Sequence, residues 1–273
     1  MISICIPTYN QTEYLTNTLS SIYSQKNVAY EVIITDDSTT DEVQKLVESF
    51  LEQGKEIRYY RNRPNLGSPE NWNFALSKAK GKFVKIMHHD EWFINDYALF
   101  KMLEKCLENP ELMIISSSLL IDRGVDKFFK ATPLQLNKIQ REPEQLILGN
   151  FLGSPSAVMF SIDRKQDFDR NYIWLVDIEF YLRMLNNNMK FHYIEDPLYC
   201  SVMDEHNITN SVLYDVELQL KEYSNLFKTY IRKFHFNKQF FYFLEIYKII
   251  SIRLYRNKHI LFLRLFKRCF FDK

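Results

Sequence analysis

Four short apolar runs, at 2–6, 31–35, 57–60 and 83–87, alternate with three segments of helical periodicity. That alternation constrains the fold more than any other feature of the chain. Strand–helix–strand units in series predict a mostly parallel sheet joined by right-handed crossovers. The spacing predicts a first helix over 12–24, through Leu15, Leu19 and Ile22. Thr39 and Glu42 stand at capping-box spacing and predict a second helix running to Phe50. Ser68 as N-cap and Pro69 at the first helical position predict a third, ended by Gly81. Beyond it the pattern predicts a helix from Asn95 or Asp96 to before Pro110, strands over 112–121 and 156–161, a helix over 177–186, a strand over 191–194, and helices after Val212. The expected architecture is α/β over 1–211, with a helical region over 212–273.

In such a sheet, ligands bind outside the carboxyl ends of the strands. Two acidic clusters are delivered there. Asp36-Asp37-Ser38 follows the second strand, and His88-His89-Asp90-Glu91 follows the fourth. Crowded carboxylates repel one another unless a cation or polar ligand shares the space. Helix capping accounts for Ser and Thr after Asp37 but not for two adjacent acids. A carboxylate at that point can accept from a nucleotide base or a ribose hydroxyl. Asp90 can hold a divalent cation that neutralises a diphosphate leaving group. The first strand ends in Pro7-Thr8-Tyr9-Asn10, where the Tyr9 ring can lie against a flat base. Asp177 opens a helix, where the dipole favours a carboxylate. The sharper reading makes it a general base, and helical phasing sends Glu179 to a different face. Gly153-Ser154-Pro155-Ser156 is a small-residue loop suited to close ligand approach. His206 lies in a polar loop, either as a surface residue or as a late-arriving metal ligand.

Composition narrows the setting. Cys5, Cys106, Cys200 and Cys269 lack metal-type spacing, which predicts a reducing, cytoplasmic context. A strand-like run at Ile2 without a basic leader argues against a signal peptide, and no apolar run reaches membrane-spanning length. The net charge of +1 conceals an asymmetry. From Lys228 onward twelve basic residues face two acids, leaving the remainder strongly acidic. Phe240-Phe241-Tyr242-Phe243 and Ile260-Leu261-Phe262-Leu263 interleave with those bases. Such a tail suits an anionic membrane surface. The alternative is packing on the body or on a second copy, as in a homo-oligomer. No recognisable nucleic-acid-binding module accompanies the tail.

Ile4-Cys5-Ile6-Pro7-Thr8-Tyr9-Asn10, Asp36-Asp37-Ser38-Thr39-Thr40-Asp41, Asn65-Leu66-Gly67, the 79–83 run into His89-Asp90, and Asp177 with Arg183 stand in the order and spacing of glycosyltransferase family 2. The resemblance covers about residues 1–207 and implies a GT-A fold, with a nucleotide half to about residue 100 and an acceptor half after it. It implies an inverting transferase that moves a sugar from a nucleotide-sugar donor, UDP-linked by expectation, to a saccharide or lipid-linked acceptor of a cell-surface polysaccharide. Pro7, Tyr9, Asp37, Asn65 and His89 match its nucleotide-sugar site. Asp90 matches its metal-binding acid, for Mn²⁺ or Mg²⁺, with His206 as a further candidate ligand. Asp177 matches its catalytic base. Position 89, where the family often carries Asp, is His in this chain. A non-catalytic scaffold of a polysaccharide assembly complex is the competing expectation.

Overall fold

The computed structural model describes residues 1–122, 125–203, 212, 215–252 and 258–271. The chain forms two compact units that interleave in sequence. The first comprises Met1–Thr132, Leu152–Arg170 and Asn187–Met203; the second comprises Pro133–Phe151, Asn171–Asn186 and Asp204–Lys273.

The first unit is one mixed sheet with helices. Its strands are β1 (Ile2–Thr8), β2 (Tyr30–Asp36), β3 (Arg58–Arg61), β4 (Phe83–Ile86), β5 (Glu91–Phe93), β6 (Met113–Asp122), β7 (Val125–Phe129), β8 (Val158–Ser161) and β9 (Phe191–Met203). They lie in the order β3-β2-β1-β4-β8-β6-β9-β5, with β7 paired to β6. The half β3-β2-β1-β4 is wholly parallel. Its crossovers are α1 (Glu13–Tyr23), α2 (Glu42–Glu52) and α3 (Glu70–Ser77). Beyond β4 the sheet turns mixed: β8 is antiparallel to β4 and to β6, β6 runs parallel to β9, and β5 antiparallel to β9.

The core follows from period. Ile2, Ile4 and Ile6 on β1 meet Leu15, Leu19 and Ile22 on α1, and Val43, Val47 and Phe50 on α2, all buried. Each set repeats at the spacing that lines one face of a strand or helix. Helix α4 (Ala98–Glu108) adds Leu99, Met102 and Cys106.

The second unit is helical. It contains α5 (Pro133–Arg141), α6 (Val176–Asn186), α7 (Val216–Leu226), a π-helical turn (Phe227–Ile231), α8 (Phe236–Ile252) and α9 (Lys258–Phe270). Phe243 on α8 meets Phe262, Phe266 and Phe270 on α9 edge to face, at 5.0–5.7 Å between ring centroids. The aromatic excess of the tail is thus partly a helix–helix core. Among the described residues no helix is long and apolar enough to cross a membrane.

Several local expectations are corrected. Helix α2 begins after Asp41 without a side-chain cap, and Thr39 instead donates to Asn10 Oδ1 through its N–H and hydroxyl. Pro69 is the N-cap of α3, one residue later than expected, and Ser68 makes no capping bond. Strand β9 runs on past Ile194, where the sequence pattern ended it, through Glu195-Asp196-Pro197 to Met203. The β6–β9 register shifts on either side of Ser117, which sets Pro197 opposite it and lets the ladder resume.

Candidate functional site

Parallel pairing brings three strand ends together. Thr8 is opposite Asp36, and Cys5 opposite Ile86, so the segments after β1, β2 and β4 leave one edge of the first unit. Met87 N–H donates to Cys5 O, and Asp37 N–H to Thr8 O, each extending a ladder by one step. His89 Nδ1 lies 3.3 Å from Pro7 O. Asn10 N–H donates to Ser38 Oγ, lacing the first two loops. Pro7, Tyr9, Asp37, Asn65, His89 and Asp90 therefore share an edge, as the sequence reading expected of a ligand crevice.

The two adjacent aspartates do different work. Asp36 is fully buried and accepts from Thr8 Oγ1, Ser38 N–H and the Tyr59 hydroxyl. Burial, together with the Asp36 carboxylate, raises the Tyr59 phenol pKa and keeps it a donor. Asp37 Oδ1 accepts from Asn62 Nδ2 at 2.7 Å and Leu66 N–H at 3.1 Å, and Oδ2 from Gly67 N–H at 2.7 Å. Asn65 Nδ2 donates to Asp37 O at 2.8 Å. Asp37 thus organises the 62–67 loop at this edge. Gly67 has φ +76°, a left-handed conformation that glycine adopts without strain. Sequence reasoning missed Asn62 and Asn71. Asn71 Oδ1 accepts from Asn62, and its Nδ2 donates to Thr8 O and Thr35 O. An Asn on an apolar helical pattern was the available signal.

The second cluster rests on a buried polar layer. Lys85 on β4 is wholly buried, donates to Ser156 O, and has Phe93 and Tyr199 rings at 5.5 and 5.7 Å. Burial pulls its ammonium pKa down to about 7, against partial support from Glu91. Buried Glu91 accepts from Ser154 Oγ at 2.8 Å and stands 3.5 Å from His88 Nδ1. The His88 ring packs on Trp72, 4.8 Å between centroids, and its buried Nε2 has no partner among the described residues. The small-residue loop at 153–156 serves this layer, since a Cβ on Gly153 would stand 2.9 Å from the Tyr199 hydroxyl.

Asp90 is partly exposed and makes no hydrogen bond or ion pair among the described residues. No group of three His, Cys, Asp or Glu able to hold a metal occurs among the described residues. A hard cation held by one carboxylate, water and substrate phosphates needs no such cage. A partly exposed Asp90 with no bond among the described residues fits that kind of site. His206 lies outside the described residues. Tyr9 stands 53% exposed, with its ring face available.

In the second unit, Asp177 lies in the first turn of α6. Its Oδ1 accepts from Ile178 N–H at 2.8 Å, and its Oδ2 from Asn150 Nδ2 at 2.6 Å. Glu179 points elsewhere, as helical phasing predicts. It is buried and accepts from Arg183 Nε and from the Tyr230 hydroxyl.

The family model "Glycosyl transferase family 2" matches residues 3–174. The chain belongs to glycosyltransferase family 2. It is similar to an uncharacterised glycosyltransferase, MJ1057, of Methanocaldococcus jannaschii, 26% identical over 267 residues that cover 92% of this chain and 89% of the relative. It is also similar to the putative teichuronic acid biosynthesis glycosyltransferase TuaG of Bacillus subtilis, 28% identical over 48% of this chain and 53% of TuaG. An uncharacterised Mycobacterium tuberculosis protein, MT1568, is 26% identical over 68% of this chain, and the match spans 62% of that relative. The chain thus spans less than two thirds of some of the curated relatives it matches. Among solved structures, S. aureus TarS 1-349 in complex with UDP-GlcNAc aligns with TM-score 0.62 at 19% identity, over 92% of this chain and 72% of that one. The mannosyltransferase PcManGT of Pyrobaculum calidifontis, in complex with GDP-Man and Mn²⁺, aligns with TM-score 0.59 at 14% identity, over 98% and 73%. These likenesses show the GT-A fold.

Proposed function

We propose that the protein is an inverting glycosyltransferase that moves a sugar from a nucleotide-sugar donor to a saccharide or lipid-linked saccharide of a cell-surface polysaccharide. The observation that carries this reading is the common edge of Pro7, Asp37, His89 and Asp90 in a chain of this family. TarS is known with UDP-GlcNAc and PcManGT with GDP-Man. We carry the ligand class to this chain, with a UDP-linked sugar as the expected donor.

In this reading Tyr9 stacks on the base, Asp37 and Asn65 accept and donate at its edge, and His89 bonds a ribose hydroxyl. Asp90 would hold Mn²⁺ or Mg²⁺. When bound, that ion neutralises charge developing on the diphosphate. Asp177 takes the proton of the acceptor hydroxyl. The acceptor oxygen bonds to the anomeric carbon from the side opposite the diphosphate, the carbon–diphosphate oxygen bond breaks, and the configuration inverts. Asn150 Nδ2 donates to one oxygen of Asp177 and Ile178 N–H to the other, which orients the carboxylate. The chain is proposed to work in the cytoplasm, peripheral on the inner face of the membrane. Exposed Phe236, Phe241, Leu263 and Phe271 support that placement. Arg264 and Arg268, expected to face headgroups, instead both pair with Glu217 on α7, while Lys267 stands exposed.

The test is turnover of a panel of UDP- and GDP-linked sugars with Mn²⁺, read as nucleoside diphosphate release. General base catalysis contributes about 10²–10⁴-fold. Asp177→Asn should lose at least about a hundredfold in rate with donor affinity nearly unchanged. Turnover above about a tenth of the wild-type rate removes Asp177 from the role.

A further inference from the structure

The carboxylate of Glu222 is fully buried on α7, yet among the described residues it pairs with no cation. It is spent entirely on backbone. Oε1 accepts from Ile173 N–H at 2.6 Å and Trp174 N–H at 3.4 Å, and Oε2 from Trp174 N–H at 3.2 Å and Leu175 N–H at 2.8 Å. These three residues are the approach to α6, whose first turn carries Asp177. Leu175 O in turn accepts from Glu179 N–H, so Leu175 is the hinge between the clamped segment and the helix. The three N–H groups lie just ahead of α6, whose first residue is Val176, and an anion near a helix N-terminus is favoured by the dipole. Here the anion comes from a helix more than forty residues later in sequence.

A second tie lies one turn further along α6. The Tyr230 hydroxyl donates to Glu179 Oε1 at 3.0 Å, beside the Arg183 guanidinium that donates to both Glu179 oxygens. On a continuous α-helix Glu222 and Tyr230 would sit about 80° apart. The π-helical turn Phe227–Ile231 intervenes, and wider turns of this kind recur at functional sites. The Trp174 and Tyr223 rings meet edge to face at 5.9 Å, next to the Glu222 tie in both segments. Burial raises the Glu222 pKa, opposed by its backbone donors, so the group is held at a cost that a surface residue would avoid.

We propose that Glu222, seconded by Tyr230, is a positioning residue that fixes the start of α6 and with it the Asp177 carboxylate, making the helical C-terminal region part of the catalytic apparatus. The inference rests on the reading of Asp177 as the base. A misplacement of about 1 Å at a reacting group can cost about a hundredfold in rate. Glu222→Gln keeps the shape but leaves one oxygen for three N–H groups and turns an amide N–H₂ toward the others. Glu222→Ala removes every acceptor, and Tyr230→Phe removes only the tie to Glu179.

The experiment uses the full chain and the same panel of UDP- and GDP-linked sugars with Mn²⁺. Turnover is divided by the number of donor sites found by calorimetry, so that loss of folded protein drops out. Amide exchange is followed at 173–178. The expected result is a fall in kcat per site of about tenfold for Glu222→Gln and about a hundredfold for Glu222→Ala, with a smaller fall for Tyr230→Phe. Donor affinity stays unchanged, and exchange quickens at 173–175. Wild-type kcat per site in both Glu222 variants, with Asp177→Asn inactive, overturns the inference, and so does unchanged exchange at 173–175 in Glu222→Ala. An active Asp177→Asn overturns the assignment of the base instead, and the two failures are thereby told apart.

Discussion

Asp37 Oδ2 accepts the N–H of Gly67 at 2.7 Å, joining the end of β2 to a turn thirty residues downstream. The carboxylate is buried and has two further donors, Asn62 and Leu66. It is therefore the organiser of the loop beside it, and in the proposed function it also meets the donor base. Leaving buried donors unsatisfied costs about 1–3 kcal/mol. Asp37→Ala should lower stability by about 2–3 kcal/mol in urea unfolding and also abolish nucleoside diphosphate binding by calorimetry. A variant that unfolds like the wild type would show that the loop holds itself.

Asp90 presents the opposite case. It has no hydrogen bond or ion pair among the described residues, so its removal leaves nothing orphaned. Asp90→Ala should change stability by no more than about 0.5 kcal/mol, the usual range for such surface positions. Mn²⁺-dependent binding of UDP should nonetheless weaken by at least about tenfold, the equivalent of about 1.4 kcal/mol. Calorimetry with and without Mn²⁺ separates the two effects. Equal affinity in wild type and variant would take the cation away from this residue.

The parallel half of the sheet was legible because its strands are short, apolar and separated by helices of clear period. Asp37, His89 and Asp90 were legible for the same reason, since strand ends fix where they emerge. What escaped was short or long-range. Strand β5 is three residues beside a polar cluster, and its pairing with β9 is decided by residues a hundred positions away. The layer of Lys85, Glu91, His88 and Ser154 was invisible because a lysine on a strand reads as an edge residue. Glu222 could not be read at all: a buried carboxylate serving three backbone groups leaves no periodicity behind.

Lys85 carries a pH prediction with a definite sign. Its folded-state pKa is lowered to about 7 from an ordinary 10.5, so above pH 7 the unfolded chain binds the proton more tightly than the native state. Stability should therefore rise as pH climbs from 7 toward 10.5. Between pH 7 and 9 the gain from this one group is about 2 kcal/mol, at 1.36 kcal/mol per unit. Lys85→Met should abolish that gain and be more stable than wild type at pH 7. Urea unfolding at the two pH values checks it. The same slope in variant and wild type would mean that the ammonium is solvated in the native protein.

The last prediction concerns the C-terminal helices. Phe271 is 71% exposed and Phe241 48%, while Phe243 is wholly buried among α9 rings. The aromatics of the tail thus divide into those that hold the helices together and those that face outward. Replacing only the outward ones leaves the helix–helix core intact, unlike truncation before Tyr230, which would also cut a tie to α6. Phe241→Ser with Phe271→Ser should leave the melting temperature nearly unchanged. Each lost side chain removes about 1 kcal/mol or more of burial in a headgroup region, so sedimentation with anionic vesicles should weaken at least about tenfold. Undiminished vesicle binding would sink the membrane role. If the same variant instead lowers the sedimentation coefficient of the protein alone, the face belongs to a second copy of the chain.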